Sequence, residues 1–205
     1  MLFVCLKWGV YMKVLFVASE AYPFIKTGGL GDVAYALPKA LRKIGIDARV
    51  IIPKYSNIPL SFRSCMENIA SFNVEVGWRN KYCGLEHLMY DGVPYYFVDN
   101  EYYFKRPNIY GDYDDGERFA YFSKAVLEAI KYMGDFKPDI IHCNDWQCGP
   151  VPILLKDKYS EDNLYNKIKS VFTIHNLQYQ GIFPKEVLDE DRKSTRLNSS
   201  HRLYL

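Results

Sequence analysis

An unbroken apolar run over residues 13–18, Lys13-Val14-Leu15-Phe16-Val17-Ala18, precedes the glycine-rich stretch Lys26-Thr27-Gly28-Gly29-Leu30-Gly31-Asp32. Such a run suits a strand buried on both faces, as in the middle of a parallel sheet. Beyond the glycines, Leu30, Val33, Ala34, Leu37, Ala40, Leu41 and Ile44 keep a three-four spacing. That spacing predicts a helix over 30–44, kinked at Pro38 and capped by Gly45. Residues 46–53 return as a second strand. Glycines at the start of a helix let the backbone approach an anion, with free N–H groups and the helix dipole directed at it. The spelling is neither Gly-x-Gly-x-x-Gly nor a P-loop. Taken alone, it fits a plain strand-to-helix turn equally well.

The alternation continues along the chain. Residues 69–100 change to a two-residue period, as in Phe72, Val74 and Val76. Gly77, Asp91-Gly92 and Pro94 divide this stretch into strands joined by hairpins. A loop over 101–116, rich in Tyr, Asp and Gly, leads to a helix over 117–133 with Phe119, Phe122, Val126, Ile130 and Met133 on one face and Gly134 closing it. Strands follow at 139–143 and 169–175, with a helix near 151–158 between them. Strand–helix alternation of this kind implies an α/β fold, a Rossmann-like doubly wound parallel sheet with right-handed crossovers.

With 205 residues, 49% of them hydrophobic, the chain can bury one sizeable core. Setting aside Lys7 and the tail bases Arg192, Lys193, Arg196 and Arg202 leaves 21 bases against 24 acids, so the charge does not favour a nucleic-acid partner. Cys143 and Cys148, beside His142, read as buried structural thiols, because no second cluster with ligand spacing completes a metal site. The five scattered cysteines fit a reducing, cytoplasmic compartment. Residues 1–11 are apolar but too short for a membrane span and read as an upstream extension. Residues 192–205 have neither a strand nor a helix period and read as a non-native tail resembling translated adapter. The domain proper is therefore expected over 12–191.

In doubly wound sheets, ligands bind beyond the carboxyl ends of the strands. The glycine loop, Asp145 and His175 all fall there: a phosphate cradle, a carboxylate and an imidazole. The bland alternatives are a solvated Lys26, an Asp145 that only caps the following helix, and a structural His175. Trp146 and the aromatics of 110–113 are either packing residues or a platform for sugar rings.

Five stretches together resemble the N-terminal signature of bacterial glycogen synthases and plant starch synthases. They are Ala18-Ser19-Glu20-Ala21-Tyr22-Pro23 leading to Lys26-Thr27-Gly28-Gly29-Leu30-Gly31-Asp32-Val33; Arg106-Pro107-Asn108-Ile109-Tyr110-Gly111; Asp115-Gly116-Glu117-Arg118-Phe119; His142-Cys143-Asn144-Asp145-Trp146; and Phe172-Thr173-Ile174-His175-Asn176-Leu177, continuing to Tyr179-Gln180-Gly181. The resemblance spans residues 12 to about 191 in the family's order. It implies a retaining glucosyltransferase moving glucose from ADP-glucose to the non-reducing end of an α-1,4-glucan in glycogen biosynthesis. It also implies the two-domain GT-B build, with this chain as the N-terminal, acceptor-binding half. On that comparison Lys26 and the Gly28 and Gly29 amides would contact the donor diphosphate. Asp32, Asp145 and His175 would line the sugar subsite, with Asp145 on the acceptor side, and Tyr110 and Asn176 are carried over as further substrate contacts. No cofactor or metal is implied, since cations and amides can stabilise the leaving diphosphate.

The family's C-terminal domain is absent from this sequence, so the chain by itself is expected to lack substantial synthase activity. Two other readings stay open: a non-catalytic glucan- or nucleotide-binding module, and another nucleotide-sugar transferase of the same build.

Overall fold

The computed structural model describes residues 12–183; the expected extension at 1–11 and tail at 192–205 lie outside the described residues. Strand β1 (Lys13–Val17) is buried along nearly its whole length, and Leu15, Phe16 and Val17 have no exposed surface. The chain then reverses through residues 18–28 into helix α1 (Gly29–Lys43), with Pro38 buried inside it. At its end, Gly45 N–H donates to the Arg42 carbonyl and Ile46 N–H to that of Leu41. This paired arrangement needs a left-handed residue, and Gly45 supplies it at φ 89°.

Strand β2 (Asp47–Pro53) follows, then a single helical turn, α2 (Leu60–Arg63), which the sequence pattern does not announce. Strands β3 (Glu67–Val76), β4 (Arg79–Tyr90) and β5 (Val93–Asp99) come next. The β4–β5 turn is Asp91-Gly92, both at positive φ (47° and 77°), the conformation that two-residue hairpins favour. The expected loop at 101–116 opens with a short helix, α3 (Glu101–Phe104), where the Asn100 side chain accepts the Tyr103 N–H. Helix α4 (Asp115–Ala129) starts two residues earlier than the pattern suggests and ends in a tighter turn over Ile130–Tyr132. Strand β6 (Ile140–Asn144), helix α5 (Pro150–Lys158) and strand β7 (Lys169–Thr173) complete the described part.

The seven strands form one sheet in the order β3-β4-β5-β2-β1-β6-β7. The five strands from β5 to β7 run parallel, whereas β4 runs antiparallel to both of its neighbours, β3 and β5. The doubly wound sheet thus carries an antiparallel hairpin on one edge. Two-residue turns can join only antiparallel neighbours, and this accounts for the departure from an all-parallel sheet.

β1 pairs with β2 on one side and β6 on the other, so the winding reverses between β1 and β6. In doubly wound sheets that reversal, beyond the carboxyl ends of the strands, is where ligands bind. The loops after β1, β6 and β7 all emerge there.

Candidate functional site

The loop after β1 is organised by a residue the sequence analysis gave no role. Glu20 is only 2% exposed. Its Oε2 accepts Thr27 N–H at 2.7 Å and the Thr27 hydroxyl at 2.6 Å, and its Oε1 accepts Gly28 N–H at 3.2 Å and Gly31 N–H at 3.0 Å. An internal carboxylate thus fills part of the amide cradle and caps the first turn of α1, where negative charge is favoured. The Gly28 N–H is turned toward Glu20, while Gly29 opens the helix with no atom crowding its Cα.

Lys26 extends outward and forms a forked ion pair with Asp32, 2.7 and 2.6 Å from Nζ to the two carboxylate oxygens. Their side chains are 42% and 59% exposed, so the pair is worth only about 0–1 kcal/mol and re-forms readily around another anion.

At the end of β6, Asn144 is fully buried and its amide donates to the carbonyls of Val17 and His142, both at 3.0 Å. This fixes which end of the amide is oxygen. Asn144 Oδ1 faces His175 Nε2 at 2.9 Å, and a carbonyl oxygen only accepts, so the proton of the neutral ring sits on Nε2. Nδ1 is left as the acceptor.

Asp145 follows in a backbone conformation few non-glycine residues adopt, φ 57° and ψ 175°. Such geometry costs on the order of 1–3 kcal/mol and is typical of sites where the surroundings dictate the backbone. The Asp145 side chain does not cap the turn that follows; Oδ1 accepts the His175 main-chain N–H at 2.7 Å. Asp145 N–H in turn donates to Thr173 O at 2.9 Å. β6 and β7 are thereby laced together beyond their last paired residues.

Tyr110 comes from the loop that precedes α4. Its hydroxyl shares a 2.6 Å hydrogen bond with Ser19, next to Glu20. Burial pushes its phenol well above the usual value, helped by the negative charges of Glu20 and Asp145. His142, hydrogen-bonded to Thr173 at 2.8 Å, is held below the usual imidazole value by burial and, secondarily, by the neighbouring His175 ring, which disfavours a second positive charge beside it. Trp146 packs edge-on against Phe119 and tilts against Phe183. Gly181 lies so close to the indole that a Cβ there would collide with the ring. Cys143 and Cys148 are buried free thiols, and burial raises the latter to about 12.

The structure therefore joins Asp145 to His175 directly and Lys26 to Asp32 directly, and ties Tyr110 to Ser19 in the loop after β1. Asn176 stands apart in an exposed turn, its side chain accepting Gln178 N–H. Glu20, Ser19 and Asn144 lie inside stretches already singled out. The only sign of Glu20 was an acid placed straight after a buried strand, where burial requires partners.

The chain matches the family described as "Starch synthase catalytic domain" over residues 13–203. It is 70% identical over 179 residues to a glycogen synthase of Clostridium acetobutylicum, covering 87% of this chain and 38% of that protein. To a glycogen synthase of Anoxybacillus flavithermus it is 58% identical over 193 residues, covering 94% and 39%. Among solved structures it resembles the catalytic domain of Starch Synthase IV from Arabidopsis thaliana bound to ADP and acarbose, with a TM-score of 0.77, 32% identity, and coverage of 87% of this chain and 36% of that one. The chain spans just under two fifths of the length of these curated relatives. Matched over residues 13–203 through the glycine loop and the Asn-Asp-Trp and Ile-His-Asn stretches, this chain belongs to the starch synthase catalytic domain family.

Proposed function

We propose that the chain forms the acceptor-side wall of a cytoplasmic glycogen synthase, which moves glucose from ADP-glucose to the non-reducing end of an α-1,4-glucan with retention of anomeric configuration. The observation that carries this reading is the convergence of the glycine loop, Asp145 and His175 at the one edge where the sheet reverses its winding. The plant neighbour's ADP and acarbose, a nucleotide and a sugar analogue, support the same pair of ligand classes.

The chemistry follows from charge. As the anomeric C1–O bond breaks, positive charge builds on the sugar ring and negative charge on the departing diphosphate. Lys26 leaves its weak pair with Asp32 for the diphosphate, and the Gly29 end of α1 adds its N–H groups and dipole. Asp32, once released, is free to meet a sugar hydroxyl. His175 holds its Nε2 proton on Asn144 and accepts a hydroxyl of the transferred glucose at Nδ1. Asp145 uses Oδ1 on His175 and keeps Oδ2 for the acceptor. Tyr110 and, from the following turn, Asn176 contact the glucan.

Titration of the 205-residue chain with ADP and with maltoheptaose, followed by NMR, tests this reading. Lys26→Ala should weaken ADP by tenfold or more, and Asp145→Asn should do the same to the glucan. Undiminished glucan binding in both Asp145→Asn and His175→Ala would refute it. Assayed by itself, the chain is expected to bind without appreciable turnover, because it spans only 38% of its relatives' length.

A further inference from the structure

The segment that carries Tyr110 is crowded with acid: Asp112, Asp114 and Asp115 lie within four residues. Its apolar packing is confined to Ile109 and to the Tyr110 ring, which tilts against Phe119. Ile109 is buried, but Arg106, Tyr110, Asp112 and Asp114 are only half-buried, and Asn108 and Tyr113 are exposed. Two guanidiniums close it instead. Arg106, from the segment itself, donates to Asp114 at 2.8 Å. Arg118, from α4, is completely buried. Its Nε donates to the Tyr103 carbonyl at 2.8 Å, and its Nη1 donates to Asp112 at 2.9 Å and to Asp115. The second oxygen of Asp115 accepts the N–H of Gly111 at 2.7 Å, one residue past Tyr110.

We propose that Arg118 is a positioning residue: it sets the Tyr110 hydroxyl against Ser19 and so fixes residues 105–114 beside the glycine loop. The inference rests on the reading of Tyr110 as a glucan contact. A buried guanidinium needs its charge compensated, and the observed course of the segment brings Asp112 and Asp115 to its Nη1, while Nη2 meets no partner among the described residues. The carboxylates in turn repel one another unless that charge lies among them. Gly111 completes the arrangement at φ 95°, a left-handed conformation that lets the chain turn immediately after Tyr110. A lysine keeps the charge but loses the fork, and it cannot reach Tyr103 O, Asp112 and Asp115 together.

The test uses the 205-residue chain labelled with [13C]tyrosine, with the Tyr110 resonance assigned by Tyr110→Phe. In Arg118→Lys, Gly111 amide exchange should rise at least tenfold and Tyr110 should titrate closer to an ordinary phenol, while the slowest amides of β1 and β6 keep their protection. Asp112→Asn, which leaves Arg118 and Asp115 in place, should shift both signals the same way by less. The double variant Arg118→Lys/Tyr110→Phe should bind maltoheptaose no more weakly than Tyr110→Phe alone. A folded Arg118→Lys with Gly111 exchange and Tyr110 titration unchanged would overturn the proposal. If that variant does not fold, an unchanged Asp112→Asn overturns it and a shifted one upholds it. Should the unsubstituted chain fail to bind maltoheptaose, the functional reading falls, while exchange and titration still decide the role of Arg118.

Discussion

Replacing Glu20 with glutamine removes one acceptor oxygen from a buried group that serves four donors. The amide must set its NH2 toward one of two pairs: Thr27 N–H with the Thr27 hydroxyl, or Gly28 N–H with Gly31 N–H. The Gly28–Gly31 side has the longer contacts, 3.2 and 3.0 Å, so the NH2 goes there and two charge-assisted bonds become donor-to-donor contacts. Each such bond is worth roughly 1.5–3 kcal/mol. Water reaches the half-open Gly28 side more easily than Gly31, which reduces the sum to about 3 kcal/mol. For a domain of this size that lowers Tm by roughly 6–12 °C. Urea and thermal unfolding followed by far-UV circular dichroism measure it, and Thr27→Val in the same series supplies a double-mutant cycle. The two substitutions together should cost less than their sum, since Thr27 and Glu20 share a bond. A Glu20→Gln penalty below about 0.5 kcal/mol would show that the loop is held by something other than this carboxylate.

Further outcomes follow from other parts of the site. Asp145→Gly should be more stable than Asp145→Ala by about 1 kcal/mol, because glycine adopts φ 57° and ψ 175° without strain while both variants lose the bond to His175; equal unfolding midpoints would count against strain at this residue. Gly181→Ala should push residues 176–183 off Trp146 and raise acrylamide quenching of its fluorescence, with little change in global stability; unaltered quenching would contradict the packing. Burial holds His142 and His87 below the ordinary imidazole value, so the unfolded chain takes up protons first on acidification. Stability should be full above about pH 6.5 and decline below it, and urea unfolding at pH 7.5, 6.5 and 5.5 should lose that slope in His142→Asn/His87→Gln. Asp47 and Asp91, held below the usual carboxylate range by their Arg and Lys partners, do not titrate in that window.

Much of the scaffold could be read before any coordinates, because it depends on neighbours in the chain. The β1 run, the spacing of α1, the Gly45 cap and the Asp91-Gly92 turn are short-range matters of periodicity and backbone freedom, and each lies within a residue or two of its expected place. Asp145 and His175 were also legible, since parallel strands present the residues after their carboxyl ends on one edge. Tertiary structure alone decided which contacts those residues make. That Glu20 fills the amide cradle, that Asn144 sets the His175 proton, and that Asp145 grips His175 instead of capping a helix all depend on contacts made only in the folded chain, which no local pattern reports. Arg118 shows the difference most clearly. In the sequence it is one more charge at the start of a helix; folded, it is a buried cation whose need for partners shapes the segment that carries Tyr110. Local pattern reports which element a residue joins, whereas desolvation decides which distant partners it must find.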